Sequence, residues 1–158
     1  MRTRNVLAFA VSFALATVAL AQGAKTAAKA APVFTPAADL KWMDLDPVGA
    51  PGVKIADLWG NHATGAYGAY VKLPAGFAAP LHTHTHDMKV VFLSGTYIQA
   101  PEGKPEVRLG PGSYMMQPGA DYRHTTRCDQ ASDCVFLIDS GGAFDLKVVD
   151  PPKAPAAK

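Results

Sequence analysis

The chain has 158 residues, with 15 Lys and Arg against 13 Asp and Glu, five histidines and a formal net charge of +2. That length sustains one ordinary domain with one core. A charge balance so close to neutral gives no pull toward nucleic acid or an anionic membrane surface.

The first element in chain order is an export signal. MRTRNVLAFAVSFALATVALAQG places Arg2 and Arg4 before an apolar run from Val6 to Ala21, and Ala19-Leu20-Ala21 forms an A-x-A cleavage signature. A membrane-spanning helix needs about 20 apolar residues. The run falls short of that, so cleavage after Ala21 is expected rather than a retained anchor. The removed segment carries two arginines and no acid, so residues 22–158 hold equal numbers of acidic and basic side chains. Export implies a periplasmic or secreted protein, with no membrane contact once the signal is gone. Residues 22–38 follow as an Ala/Lys/Pro-rich linker, and PPKAPAAK at 151–158 reads as a similar tail. Neither can bury enough apolar surface to order itself. The folded domain is expected over residues 39–150.

Within that domain Gly and Pro recur every eight to twelve residues, separating short runs rich in Val, Ile, Tyr and Phe. VKIADLW (53–59), AYGAYVKL (66–73), MKVVFL (88–93), TYIQA (96–100), SYMMQ (113–117), CVFLID (134–139) and FDLKVV (144–149) read as strands. Alternation supports this: Ala69, Val71 and Leu73 oppose Tyr70 and Lys72, and Phe144, Leu146 and Val148 oppose Asp145 and Lys147. No segment after residue 36 holds a 3.6-residue period over ten residues. The fold class is all-β: a sandwich, barrel or jelly roll.

Three histidines stand on alternate positions, His82, His84 and His86, just before the apolar run MKVVFL. On a regular strand they share one face, and the same parity adds Met88, Val90 and Phe92, which are core-like. Thr83, Thr85, Asp87 and Lys89 then face outward. Burying three imidazoles without partners is costly. A divalent metal removes that cost by taking neutral imidazole nitrogens as ligands. The competing reading is a solvated loop at the mouth of the sheet. Cys128 and Cys134 are the only cysteines, and in an oxidising compartment two nearby thiols form a disulfide. His62, in GNHATG, reads as a solvent-facing turn residue. Arg123 and Arg127 read as surface groups, and no role falls to Tyr67, Tyr97, Tyr114 or Tyr122.

Gly76, five residues, His82-x-His84, three residues, Met88, six residues, Gly95 resembles the first motif of the cupin superfamily, with Met where that motif has Glu. Gly112, five residues and Pro118 resemble the start of the second motif. The pattern then slips: Ala120 stands at the Gly position, Arg123 at the His position, and His124 follows one residue later. A one-residue insertion in the turn would make His124 the motif's histidine. The chain also resembles exported single-domain cupins, which are similar to the cupin half of ChrR-type anti-sigma factors. It implies a single-domain cupin-type β-barrel, or jelly roll, with a metal in its cavity.

The ligand set that the resemblance implies is His82, His84 and His124. His86 is a candidate fourth ligand, but the family pattern gives it no role, which places it at the cavity mouth. Three neutral nitrogens favour Zn, Fe, Cu or Ni over Mg, Ca or Mn. Met88 is either an adaptable filler where a Glu stood or a thioether ligand suited to copper. Cys128, four residues after His124, is either half of a Cys128–Cys134 bridge or a soft ligand.

Two functions follow as expectations. One is a non-catalytic module that binds a divalent transition metal and a small molecule. The other is a metal-dependent small-molecule enzyme: a dioxygenase, isomerase or hydrolase. No nucleophile motif is present, and no general base stands out beyond His86. Direct sigma-factor binding is not expected, because the chain is exported and lacks the helical region that such regulators carry. A homodimer by exchange of edge strands rests on the resemblance alone.

Overall fold

The structure is a computed structural model, and it describes residues 31–149. The signal segment 1–21, residues 22–30 of the linker and the tail 151–158 lie outside the described residues. The chain divides into two units, Met1–Phe34 and Thr35–Lys158. Of the first unit, the described residues 31–34 are exposed and irregular. The second carries one 3-10 turn, Ala37–Asp39, and all the described strands.

Those strands are β1 (Met43–Asp46), β2 (Ala50–Gly60), β3 (Tyr67–Leu73), β4 (Ala78–Thr83), β5 (Met88–Ser94), β6 (Tyr97–Pro101), β7 (Val107–Leu109), β8 (Tyr114–Gln117), β9 (His124–Cys128), β10 (Cys134–Ser140) and β11 (Lys147–Val148). They form two antiparallel sheets. One has the order β1-β2-β3-β10-β5-β8 and the other β11-β4-β9-β6-β7. This is the all-β jelly roll expected from the sequence.

The core follows from period-two alternation. Ala69, Val71 and Leu73 of β3, Val90 and Phe92 of β5, and Phe136 and Ile138 of β10 are all buried. They form one face of the six-stranded sheet, because successive side chains alternate across a strand. Phe92, Tyr97 and Phe136 meet with ring centroids 4.9 to 5.7 Å apart at tilted or edge-on angles, arrangements that aromatic quadrupoles favour. Tyr97 belongs to the other sheet, so this cluster joins the two layers.

The Cys128–Cys134 disulfide also joins the sheets, since Cys128 ends β9 and Cys134 begins β10. Gly95, in the turn between β5 and β6, holds the same end together. Its φ is +72°, and a Cβ there would come within 2.4 Å of the Asp133 carbonyl oxygen, so only glycine suits the position.

Two sequence expectations change. The histidine-bearing segment is not one regular strand. It ends as β4 at Thr83, bends over residues 84–87, and resumes at Met88 as β5 in the other sheet. Hydrogen bonds hold the bend. Asp145 accepts from the Thr85 amide at 2.8 Å and from the Thr85 hydroxyl, and Asp87 Oδ1 accepts from the Gly119 amide at 2.7 Å. The expected strand 144–149 pairs only at Lys147–Val148, because Phe144 donates its amide to the His62 carbonyl and Asp145 is committed to Thr85. The face assignment survives: Phe144, Leu146 and Val148 all line the same cavity.

Candidate metal centre

His82 and His124 sit directly opposite each other on β4 and β9, and their ring centroids are 4.2 Å apart. His84 stands just beyond the end of β4. Its ring lies 4.9 Å from that of His82 and 5.4 Å from that of His124. All three are buried. One ring nitrogen from each lies within 4.8 Å of the others.

Hydrogen bonds fix the tautomers. His82 Nδ1 donates to the Pro80 carbonyl at 2.7 Å, His84 Nδ1 to the Asp145 carbonyl at 2.5 Å, and His124 Nδ1 to the Tyr122 carbonyl at 3.2 Å. A carbonyl only accepts, so each Nδ1 carries the proton and each Nε2 presents a lone pair. Backbone acceptors on the distal nitrogen are the usual way of orienting imidazole ligands. The Nε2 of His124 is buried and has no partner among the described residues.

The rings are held neutral. Burial pulls His84 down to about 4, aided by His82 and opposed by the bond to Asp145. Burial likewise pulls His124 down to about 4, with His82 and His84 adding to the effect. Burial also lowers His82, against its bond to Pro80. Three convergent, neutral, lone-pair-bearing nitrogens, one of them orphaned, are the chemistry a divalent transition metal requires. The residues present therefore fit such an ion.

The remaining sequence candidates fall as follows. His124 takes the position expected from the one-residue slip, while Arg123 is exposed and faces Glu102 at 3.6 Å. The slip centres on Ala120, whose φ of +57° is the only positive value at a non-glycine residue among those described. His86 is not brought to the three histidines. It is exposed, and its ring lies against Gly142. The bend at 84–87 breaks the parity that would have carried it inward. Met88 is buried and lines the cavity from the opposite sheet. Cys128 is not a soft ligand, because its sulfur is in the disulfide. His62 is half-buried rather than solvent-facing, with Nδ1 at 2.9 Å and 3.0 Å from the two Asp57 carboxylate oxygens.

His82 and His84 open onto a cavity of about 550 Å³, within the range of small-molecule sites. Its wall is largely apolar. Besides His82 and His84, the only ionisable side chains lining it among the described residues are Asp46 and Tyr97. Asp46 is exposed and caps its own turn, accepting from the Val48 and Gly49 amides. Tyr97 is buried, and desolvation pushes its hydroxyl up to about 12.

One feature of this wall was not read from the sequence: a buried polar chain formed by Thr126, Tyr97, Gln99 and Gln117. Its only sequence signal was an inward parity for Gln99 beside Tyr97.

Two antiparallel sheets enclosing inward histidines from β4 and β9 make a cupin-type fold. The chain belongs to the family described as Domain of unknown function (DUF4437), which residues 12–147 match. No curated protein matches the sequence. Among solved structures, the polyketide cyclase RemF from Streptomyces resistomycificus is similar over 79% of this chain and 90% of its own, with a TM-score of 0.64 and 16% identity. An RmlC-like cupin from Shewanella frigidimarina is similar over 72% and 93%, with a TM-score of 0.55 and 17% identity. The anti-sigma ChrR, solved with SigE of Rhodobacter sphaeroides, is similar over 66% of this chain and 50% of that one, with a TM-score of 0.50 and 23% identity. At these identities the likeness is one of fold.

Proposed function

We propose that this cupin binds a divalent transition metal through the Nε2 atoms of His82, His84 and His124 and holds a small molecule in the adjoining cavity, as a non-catalytic binding module. The observation that carries this is the set of three Nδ1-to-carbonyl bonds, which leaves the Nε2 lone pairs of three clustered, buried histidines free to bind an ion. Zn, Fe, Cu and Ni suit an all-nitrogen set. When bound, the ion would offer open positions to an oxygen of the ligand.

Among the described residues no acid or base is positioned for catalysis in the cavity, which favours binding over turnover. Asp46 is tied to its turn, Tyr97 is held protonated, and His86 lies on the surface. The second reading, a metal-dependent enzyme, draws on those same open positions facing a cavity and on the fold shared with a polyketide cyclase. In that case the ion would polarise a carbonyl or activate water, while the apolar wall excludes bulk solvent.

We also propose that the chain is exported. The Cys128–Cys134 bridge supports this, since such bridges persist in oxidising compartments.

Elemental analysis of the purified chain, followed by melting curves and oxygen-uptake and ligand-turnover assays, tests the reading. Stoichiometric metal that raises the melting temperature without turnover is expected. Turnover or oxygen uptake that tracks metal content would replace the binding module with the enzyme.

A further inference from the structure

We infer that the ligand of this cavity is an uncharged, largely apolar molecule carrying a carbonyl-type oxygen, and that Gln117 is the side chain that reads that oxygen. This rests on the reading of the cavity as a ligand site, but not on the metal.

The argument begins with proton direction along the buried polar chain. Tyr97 donates its hydroxyl proton to Gln99 Oε1 at 2.9 Å. The Tyr97 oxygen therefore accepts from the Thr126 hydroxyl, also at 2.9 Å. With its carbonyl taken, Gln99 donates from Nε2 to Gln117 Oε1 at 2.9 Å. In this arrangement the two amides are oriented consistently with each other, so donation runs in one direction from Thr126 to Gln117. Gln117 is the last member, and it lines the cavity while being 2% exposed. Its oxygen is engaged by Gln99, so what it has left to offer the cavity is its amide N–H. That group donates and carries no charge, and so it selects an acceptor oxygen.

The rest of the wall sets the body of the ligand. No Lys or Arg among the described residues lines the cavity, so in the metal-free chain a carboxylate, sulfate or phosphate would be desolvated without a cationic side chain to pair with it. Val71, Phe136, Ile138 and Phe144 present hydrocarbon instead. A sugar, with a hydroxyl on nearly every carbon, would leave most of those groups unbonded. An aromatic or alicyclic ketone satisfies both the wall and Gln117.

The test is calorimetric titration of the metal-stripped full chain with three probes of similar shape: tetralin, tetralone and naphthoate. Stripping the metal removes the ion as a rival partner for the oxygen. Tetralone is expected to bind on the order of five- to tenfold more tightly than tetralin, the discrimination of one hydrogen bond, and naphthoate most weakly. Gln117→Met should abolish the preference for tetralone and leave tetralin binding unchanged.

If that variant fails to fold, Leu146→Lys serves instead. Leu146 lines the cavity from an exposed position, and a lysine there should weaken tetralin and tetralone and strengthen naphthoate, at an unchanged melting temperature. Equal binding of tetralin and tetralone to the wild type, naphthoate binding best, or no binding at all would overturn the inference. Metal content measured on the untreated protein reports on the metal centre separately. A chain that retains metal but ignores all three probes sinks only the ligand class. One that prefers tetralone yet retains no metal sinks only the centre.

Discussion

His84 Nδ1 donates at 2.5 Å to the backbone carbonyl of Asp145, a residue 61 positions further along the chain. The same Asp145 accepts from the amide and hydroxyl of Thr85. One residue of the C-terminal segment thus sets the tautomer of a histidine and clamps the bend that carries it. Phe144, next to it, lies 5.6 Å from the His84 ring.

Removing the clamp should therefore weaken the metal centre without touching a ligand. Asp145→Ala leaves the backbone carbonyl but frees Thr85 and the bend. Metal affinity, measured by competition with a graded chelator, is expected to fall on the order of tenfold, the usual scale for groups that orient ligands. Unchanged affinity would mean that the bend holds His84 without Asp145.

The metal-stripped chain should lose stability in mild acid. His84 and His124 sit at about 4 in the folded state, pulled down chiefly by burial, against an ordinary value near 6.5, and His82 is lowered in the same direction. Between those values the unfolded chain binds more protons than the folded one, so folding becomes less favourable as pH falls. Melting temperatures should be steady above about pH 6.5 and decline down to about pH 4. A flat profile across that window would show that the three rings are not held neutral.

The disulfide closes a six-residue separation between two sheets. Replacing Cys128 and Cys134 together by serine should cost about 2 kcal/mol, near the low end for so short a loop, as read by urea unfolding. Metal content at low temperature should persist, because His124 is also held by β4 and β6 on either side of β9. Loss of metal from a folded double variant would show that the bridge positions the ligand.

Ala120 adopts left-handed backbone where the cupin pattern has glycine. Relieving that conformation by Ala120→Gly should stabilise the chain by up to about 1 kcal/mol, since a Cβ in this region costs about 1–2 kcal/mol and glycine returns part of that as unfolded-state entropy. A drop in melting temperature would indicate that the Ala120 methyl has a packing role.

Strands β2, β3, β5, β6, β8 and β10 and the pair His82 and His84 were legible because both depend on local period and spacing, whereas β1, β7 and β9, the last of which carries His124, were not read as strands. The inward faces of β3 and β5 follow from alternation alone, as does the shared face of Phe144, Leu146 and Val148. Alternation failed at residues 84–87, where Asp145 and Gly119 bend the chain from one sheet into the other. Those partners lie 60 and 32 residues or more away from the bend, beyond any local pattern, and the bend is what sends His86 to the surface. The Thr126–Tyr97–Gln99–Gln117 chain was illegible for a similar reason. Inward parity marks a glutamine as buried but does not say that another glutamine from a different sheet will meet it. His62 paired with Asp57 across a tight turn, a contact that its Gly/Asn setting concealed.

Metal content by mass spectrometry, measured in parallel on the wild type and on His82→Ala, His84→Ala, His124→Ala and His62→Ala, tests the centre most directly. The wild type and His62→Ala are expected to carry about one transition-metal ion per chain, His82→Ala and His84→Ala none, and His124→Ala a small fraction. Equal metal in all five folded proteins would contradict the assignment.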